Sequence, residues 1–249
     1  MVKIKQAVIF AGGRGRRLRP ITDKIPKPMA LIHGAPFLDY LINSIVRAGI
    51  SRILLLVGYK KDVIINRYGC SLCKDIKIRC SIGKVADLTG RRLLDAYELL
   101  DRHFLLVYGD NYWPIPLEKM TANYERIGLP VTTTVFSNKQ GTGEYGRENN
   151  VVVDVSGRVK AYDKSRRAPG LNGIDIGYFI VEKKVLDVTE TGNISFEEKI
   201  LARLAAEGRL GAFMTDAQYY FITALESLKT FEAAALSKGF LRFEQKGVR

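Results

Sequence analysis

Residues Ala11-Gly12-Gly13-Arg14-Gly15-Arg16-Arg17-Leu18-Arg19-Pro20, followed by Lys27-Pro28, are the stretch of this chain best equipped for chemistry. Glycines at 12, 13 and 15 carry no Cβ, so backbone N–H groups there can approach an anion such as phosphate. Arg17 offers a two-pronged donor and Lys27 a point charge, and both can neutralise phosphate oxygens. Two familiar phosphate loops are excluded. No Gly-Lys-Ser/Thr ending follows, and Leu18 stands where a dinucleotide fingerprint needs its third glycine. A second chemical group lies far along the chain in Gly109-Asp110-Asn111. A carboxylate at a strand end can hold Mg2+, and the same three residues are good turn chemistry. Elsewhere the material is thin. Cys70, Cys73 and Cys80 with only His33 and His103 make no convincing zinc set, so reduced thiols are expected. No Ser-His-Asp or Cys-His pairing suggests a covalent nucleophile.

The elements that must position these residues follow from periodicity. Gln6–Phe10 is an apolar run that reads as a buried strand, so the glycine loop lies at its C-terminal end, where open α/β sheets bind ligands. Pro36–Arg47 has helical spacing of Phe37, Leu38, Leu41, Ile42, Ile45 and Val46, with Gly49 suited to its C-terminal cap. Strands are expected at Ile53–Val57, Ile76–Cys80 and Phe104–Tyr108, and helices at Lys60–Tyr68 and Arg91–Leu100. Strands alternating with helices imply βαβ units around a mostly parallel sheet. The later sequence reads as strands Pro130–Phe136, Asn150–Val155, Arg158–Asp163, Ile174–Val181, Leu210–Met214 and Tyr219–Ile222. Ser195-Phe-Glu-Glu198 is a capping box opening a helix to about Glu207, and Leu225–Leu236 reads as a closing helix. With no linker of Pro/Ser/Gly composition, one domain over 1–230 is expected. It would have a nucleotide-side half at 1–115, an acceptor-side half at 116–230, and a basic tail at 231–249 that frays.

Charge narrows the partners. The 249 residues carry 39 Lys+Arg against 26 Asp+Glu, a net +13, which favours anions. Within the first thirty residues, Lys3, Lys5, Arg14, Arg16, Arg17, Arg19, Lys24 and Lys27 face only Asp23, in a Gly/Pro-rich setting that suits phosphate better than a DNA-reading helix. No aromatic–basic platform or nucleic-acid motif is present, so no nucleic-acid partner is expected. No run of eighteen apolar residues exists, and the start is too short in apolar residues for a signal peptide. A cytoplasmic protein with no membrane partner is expected, and a homo-oligomer is left open.

Gly12, Gly13, Gly15, Arg17, Leu18, Pro20, Thr22, Lys27 and Pro28 match, as they stand, the signature of sugar-1-phosphate nucleotidylyltransferases, and the chain resembles the short single-domain form of that family. Arg16 replaces the usual threonine. The similarity runs on through Pro36-Phe-Leu, Gly58-Tyr59 and Gly109-Asp110, and more loosely to about residue 230. The resemblance implies a Rossmann-like three-layer α/β/α fold with a mixed, mostly parallel central sheet, the glycosyltransferase-A-like nucleotidyltransferase fold. It implies in-line, Mg2+-assisted transfer of a nucleotidyl group to a sugar 1-phosphate with release of pyrophosphate, for surface polysaccharide or glycoconjugate precursors. Arg17, Lys27 and Asp110 would be catalytic, with Asp110 on the metal. Ala11, Gly12, Gly13, Gly15, Arg16 and Gly109 would meet the nucleoside triphosphate. Thr89 and Gly90 are what survives of the base-contacting loop, in Asp87-Leu88-Thr89-Gly90-Arg91-Arg92.

On the acceptor side, Asp163-Lys164 resembles the family's Glu-Lys-Pro element, in which the acid bonds sugar hydroxyls and the lysine meets the sugar phosphate. Asn172 and Gly173 match the segment that lines the sugar pocket. The family's second metal aspartate falls at Phe221 in Tyr219-Tyr-Phe-Ile-Thr-Ala-Leu-Glu226. Asp175, flanked on its strand face by Gly173 and Gly177, is the favoured substitute as metal or sugar ligand, and Asp216 is the other candidate. Similarity of the short form suggests a heptose- or mannose-type 1-phosphate acceptor, with the base unread. The altered base loop and Phe221 leave two alternatives, a cytidylyltransferase acting on a non-sugar phosphate or phosphoramidate, and a non-catalytic nucleotide-binding paralogue.

Overall fold

A computed structural model describes residues 2–69, 72–73, 76–137, 149–186 and 191–240. The chain forms two compact units that interleave in sequence. One takes Lys5–Ala86, Val107–Ile115 and Tyr219–Arg249, and the other takes Met1–Ile4, Asp87–Leu106 and Pro116–Gln218.

In the first unit, Gln6–Ala11, Arg52–Val57 and Ile76–Ile82 pair in parallel, with Gln6 opposite Arg52 and Arg52 opposite Lys77. Leu72–Cys73 adds an antiparallel edge. Ala7, Val8, Ile9 and Leu54 to Val57 are buried, as continuous apolar runs in parallel sheets require. The helix Phe37–Arg47 buries Phe37, Leu38, Leu41, Ile42 and Ile45, the face expected from its spacing. It closes as the sequence indicates. Gly49 takes a positive φ of 87°, its N–H donates to the Val46 carbonyl, and that of Ile50 donates to the Ile45 carbonyl, a Schellman end.

The helix Leu225–Ser237 belongs to this unit. Phe231 is fully buried against Phe37, Tyr40, Tyr112 and Tyr220. The expected tail from 231 is therefore partly core: Phe240 lies 4.6 Å from the Tyr112 ring and stacks on Phe231. Burying rings of this size contributes about 2 to 3 kcal/mol each, which outweighs fraying of the last turn.

In the second unit, Val131–Phe136 lies between an antiparallel Ile174–Glu182 and a parallel Leu210–Thr215. The strands expected at Asn150–Val155 and Arg158–Asp163 form a shorter hairpin, Val151–Val153 with Val159–Tyr162. The helix expected at Arg91–Leu100 runs instead over Thr89–Asp95 and gives way to a 3-10 turn at Tyr97–Leu99. Ser195 caps its helix as expected, accepting from the Glu198 N–H, but the first six residues, Phe196–Leu201, are wound as a π-helix. The helix Leu117–Ile127 has no counterpart in the sequence reading. It buries Met120 and Tyr124 and ends at Gly128 with φ 65°. No helix among the described residues is long and apolar enough to cross a membrane.

Candidate active site

The strand Gln6–Ala11 delivers Gly12 to the loop, and the loop is braced from behind. The Tyr59 N–H donates to the Gly12 carbonyl at 3.0 Å, and the Tyr59 hydroxyl donates to the Thr22 carbonyl at 2.9 Å. The Thr22 hydroxyl donates in turn to the Gly15 carbonyl at 3.0 Å. Gly15 has φ 61°, and a Cβ there would sit 2.9 Å from the Lys27 Cβ, so this glycine is needed for both conformation and space. Gly13 differs: a Cβ there would meet nothing within 4 Å. Its small size answers to no neighbour among the described residues, which leaves room over its backbone for an anion. Ala11 and Gly12 are buried, while Arg14, Arg16 and Arg17 are exposed. Arg14 faces the Tyr59 ring at 5.8 Å. The Arg16 and Arg17 side chains make no ion pair or hydrogen bond among the described residues.

Lys27 is brought against the loop by Gly15, and its ammonium donates to Asp110 Oδ2 at 2.8 Å, with side chains 12% and 28% exposed. Gly109 is fixed by packing. Its N–H donates to the Phe10 carbonyl at 3.1 Å, and a Cβ would stand 2.4 Å from that oxygen. The segment around Phe221 runs beside Asp110: the Ile222 N–H donates to the Asp110 carbonyl, and Phe221 pairs with Asn111 across a short antiparallel bridge. A phenylalanine therefore stands on the strand next to Asp110, at the position where the resemblance led to the expectation of a second aspartate.

The donor set suits Mg2+ that shares its coordination with a bound polyphosphate. Among the described residues no three acidic, His or Cys side chains form a metal cage. Mg2+ keeps several waters and commonly takes one or two carboxylates plus substrate phosphates. Asp110 can supply one carboxylate beside a loop built for phosphate.

The acceptor-side residues lie in the second unit, and most are occupied by the protein itself. Asp163 Oδ1 accepts from the Ser165 N–H and hydroxyl, and Oδ2 accepts from the N–H groups of Arg167 and Ala168 at 2.8 Å each. These donors hold its carboxyl well below the usual range. Asn172 is pinned to Val153 through both ends of its amide. A Cβ on Gly173 would come within 2.4 Å of Val135 Cγ1, so this glycine permits close strand packing. Asp175 accepts from the Thr133 hydroxyl and the Gly177 N–H on Oδ1, and from the Tyr162 hydroxyl on Oδ2. Burial outweighs those bonds and pushes its pKa up to about 6. Asp216 bonds Ser137. Lys164 is more available, with its ammonium 53% exposed and 3.8 Å from Glu197.

Thr89 and Gly90 also lie in this unit, and both are docked on residues 193–197. A Cβ on Gly90 would stand 2.8 Å from the Ile194 carbonyl, and the Thr89 hydroxyl donates to Glu197 at 2.6 Å. Tyr59, Tyr162 and Glu197 carry no role in the sequence reading. Glu197 was visible only as part of a capping box. Gly58-Tyr59 was a signal, since it lies in the stretch of similarity.

The glycine loop at a strand end, with its cations and carboxylate, on a mixed and mostly parallel sheet, defines a Rossmann-like α/β protein that handles phosphates. The particular family follows from comparison with known proteins. Residues 6–220 match the family model described as Nucleotidyl transferase, and the chain belongs to that family. It is 28% identical over 246 residues to a probable glucose-1-phosphate cytidylyltransferase of Bacillus subtilis, covering 90% of this chain and 92% of that one. It is 32% identical over 195 residues to the D-glycero-alpha-D-manno-heptose 1-phosphate guanylyltransferase of Campylobacter jejuni, covering 78% and 83%. Among solved structures, HddC from Yersinia pseudotuberculosis complexed with GMP-PN superposes with a TM-score of 0.78 at 26% identity, covering 93% of this chain and 99% of that one.

Proposed function

We propose that this protein transfers a nucleotidyl group from a nucleoside triphosphate to a sugar 1-phosphate and releases pyrophosphate. The observation that carries the reading is the packing of the glycine loop on Lys27, whose ammonium reaches Asp110 at 2.8 Å. Backbone donors, two unpaired arginines, a lysine and a carboxylate then serve one polyphosphate. An oxygen of the acceptor phosphate attacks the α-phosphorus in line. The new O–P bond forms as the bond to the β-phosphate oxygen breaks, and pyrophosphate leaves with that electron pair. No side-chain nucleophile is needed, so the chain contributes position and charge.

Loop N–H groups at Gly12, Gly13 and Gly15, with Arg16 and Arg17, hold the β- and γ-phosphates. Lys27 stabilises the charge on the transferring phosphoryl, and Lys164 holds the acceptor phosphate. Mg2+ on Asp110 supplies charge neutralisation of the triphosphate when bound. The backbone from Thr89 to Arg91 meets the base. Asn172, Gly173 and Asp175 form the wall of the sugar pocket, and Asp163 shapes the turn that presents Lys164. Heptose 1-phosphate with GTP is the first pair to test, supported by the heptose 1-phosphate guanylyltransferase relatives at 32% and 28% identity.

The test measures pyrophosphate release with Mg2+, for five nucleoside triphosphates against a panel of sugar 1-phosphates, beside the Asp110→Asn variant. The expected result is release that needs both substrates and falls at least about a hundredfold in the variant. Triphosphate binding without release across the panel would replace this reading with the non-catalytic one, and release only with a non-sugar phosphate would move the acceptor class.

A further inference from the structure

The acid that the proposed reaction leaves unused is Glu197. Its carboxylate is 7% exposed, so it needs partners. One oxygen, Oε2, gathers three: the Thr89 hydroxyl at 2.6 Å, the Ser195 hydroxyl at 2.6 Å and the Lys164 ammonium at 3.8 Å. Thr89 is locked in place from its other side, since its hydroxyl oxygen accepts the Phe196 N–H at 2.9 Å. The helix cap is Ser195 accepting the Glu198 N–H, and a capping box pairs the cap with that third residue, so it makes no use of the Glu197 side chain. Glu197 turns inward instead, from a π-helical stretch at Phe196–Leu201. Windings of that kind are uncommon and recur at functional sites. The ammonium of Lys164 lies 3.8 Å from the buried Glu197 carboxylate and 4.0 Å from the exposed Glu198 carboxylate, both longer than a hydrogen bond, so it can still turn donors toward an incoming anion.

We propose that Glu197 is a positioning residue which holds Lys164 for the acceptor phosphate and Thr89 for the nucleotide on a single buried oxygen, and so couples the two binding events. The inference rests on the acceptor-phosphate reading of Lys164. A ligand that pulls Lys164 shifts the charge felt by the Thr89 hydroxyl, and one that orders Thr89 fixes the carboxylate against which Lys164 is set.

The experiment is a set of variants assayed for the KM of both substrates, with thermal melting alongside. Glu197→Gln keeps an oxygen for the two hydroxyls and removes the buried charge at Lys164, leaving only the exposed Glu198 beside it. It is expected to raise the acceptor KM about tenfold, with kcat within a few fold and melting little changed. Lys164→Met is expected to raise the acceptor KM by more, and the double variant to be no worse than Lys164→Met alone. Thr89→Val, which leaves Lys164 and Glu197 in place, is expected to raise the acceptor KM about threefold, and Thr89→Ser to restore it. This second arm decides the matter even where Glu197→Gln folds poorly. An unchanged acceptor KM in Glu197→Gln, additive effects in the double variant, or Thr89→Val acting on the nucleotide alone would each overturn the proposal. If Lys164→Met itself leaves the acceptor KM unchanged, the acceptor reading fails first, and the coupling falls with it.

Discussion

The glycine-arginine loop and the stretch from Asp163 to Asp175 both match motif positions, but they use their polar groups in opposite ways. In the loop, Arg16 and Arg17 point at nothing in the described protein and Gly13 has empty space where a Cβ would be. In the acceptor stretch, Asp163 serves four donors of its own turn, Asn172 staples a neighbouring strand and Gly173 admits Val135. A motif residue that is left unsatisfied by its own chain is kept for a ligand, whereas one that is fully satisfied builds the surface on which a ligand rests. By that criterion Lys164 is the exposed member of an otherwise structural stretch.

Variants can break or sharpen this contrast. The largest effect is expected from Lys27→Met, which removes a cation from the loop site while leaving Asp110 solvated enough to tolerate it. Steady-state assays should show kcat/KM down at least about a hundredfold, with little change in melting temperature. A loss of folding instead would place Lys27 with the structural residues.

Next come two glycines that should respond in opposite senses. Gly13→Ala meets no atom, so stability by urea titration should stay within about 0.5 kcal/mol while the triphosphate KM rises tenfold or more. Gly173→Ala drives a methyl against Val135 and should cost about 1 to 3 kcal/mol of stability, with a smaller change in the triphosphate KM than Gly13→Ala gives. Equal kinetic losses in both would erase the distinction between the two regions.

The smallest effect concerns Asp175. Its carboxyl titrates near 6 in the folded chain, above the ordinary carboxyl value. Between those two values the folded protein keeps a proton that the unfolded chain has released. The stability this gives is full in acid and is lost as pH rises through about 6. Asp175 is partly accessible, so the change is on the order of 1 to 2 kcal/mol. Urea titrations from pH 4 to 7 should show this fall in the wild type relative to Asp175→Asn. Parallel curves would mean that the carboxylate is ionised throughout.

What the sequence reveals follows from where the cause lies. Gly49 and Ser195 are local devices, a left-handed cap and a hydroxyl cap, and both stand where their neighbours in sequence place them. The glycine loop is legible for the same reason, because its chemistry is contiguous. Gly90, Gly109 and Gly173 are packed against Ile194, Phe10 and Val135, far away in sequence, so the motif match singles out these positions and leaves the cause of their small size hidden. The helix Leu117–Ile127 escapes a periodicity reading because only Met120 and Tyr124 on it are buried. Glu197 escapes because it is an unspecified position inside Ser195-Phe-Glu-Glu198, whose cap pattern rests on Ser195 and Glu198.

The interleaving of the units has a consequence for the order of synthesis. The ring cluster around Phe37, Tyr40 and Tyr112 is completed by Tyr220, Phe231 and Phe240, which leave the ribosome more than a hundred residues later. Tyr112 lies two residues from Asp110, and the Ile222 N–H fixes the Asp110 backbone. A nascent chain that has not reached this segment therefore exposes three aromatic rings and leaves the Asp110 backbone without that anchor. The site is completed only after the segment from Tyr220 to Phe240 has been made, and a chain stopped short of it is the form that most needs chaperone cover.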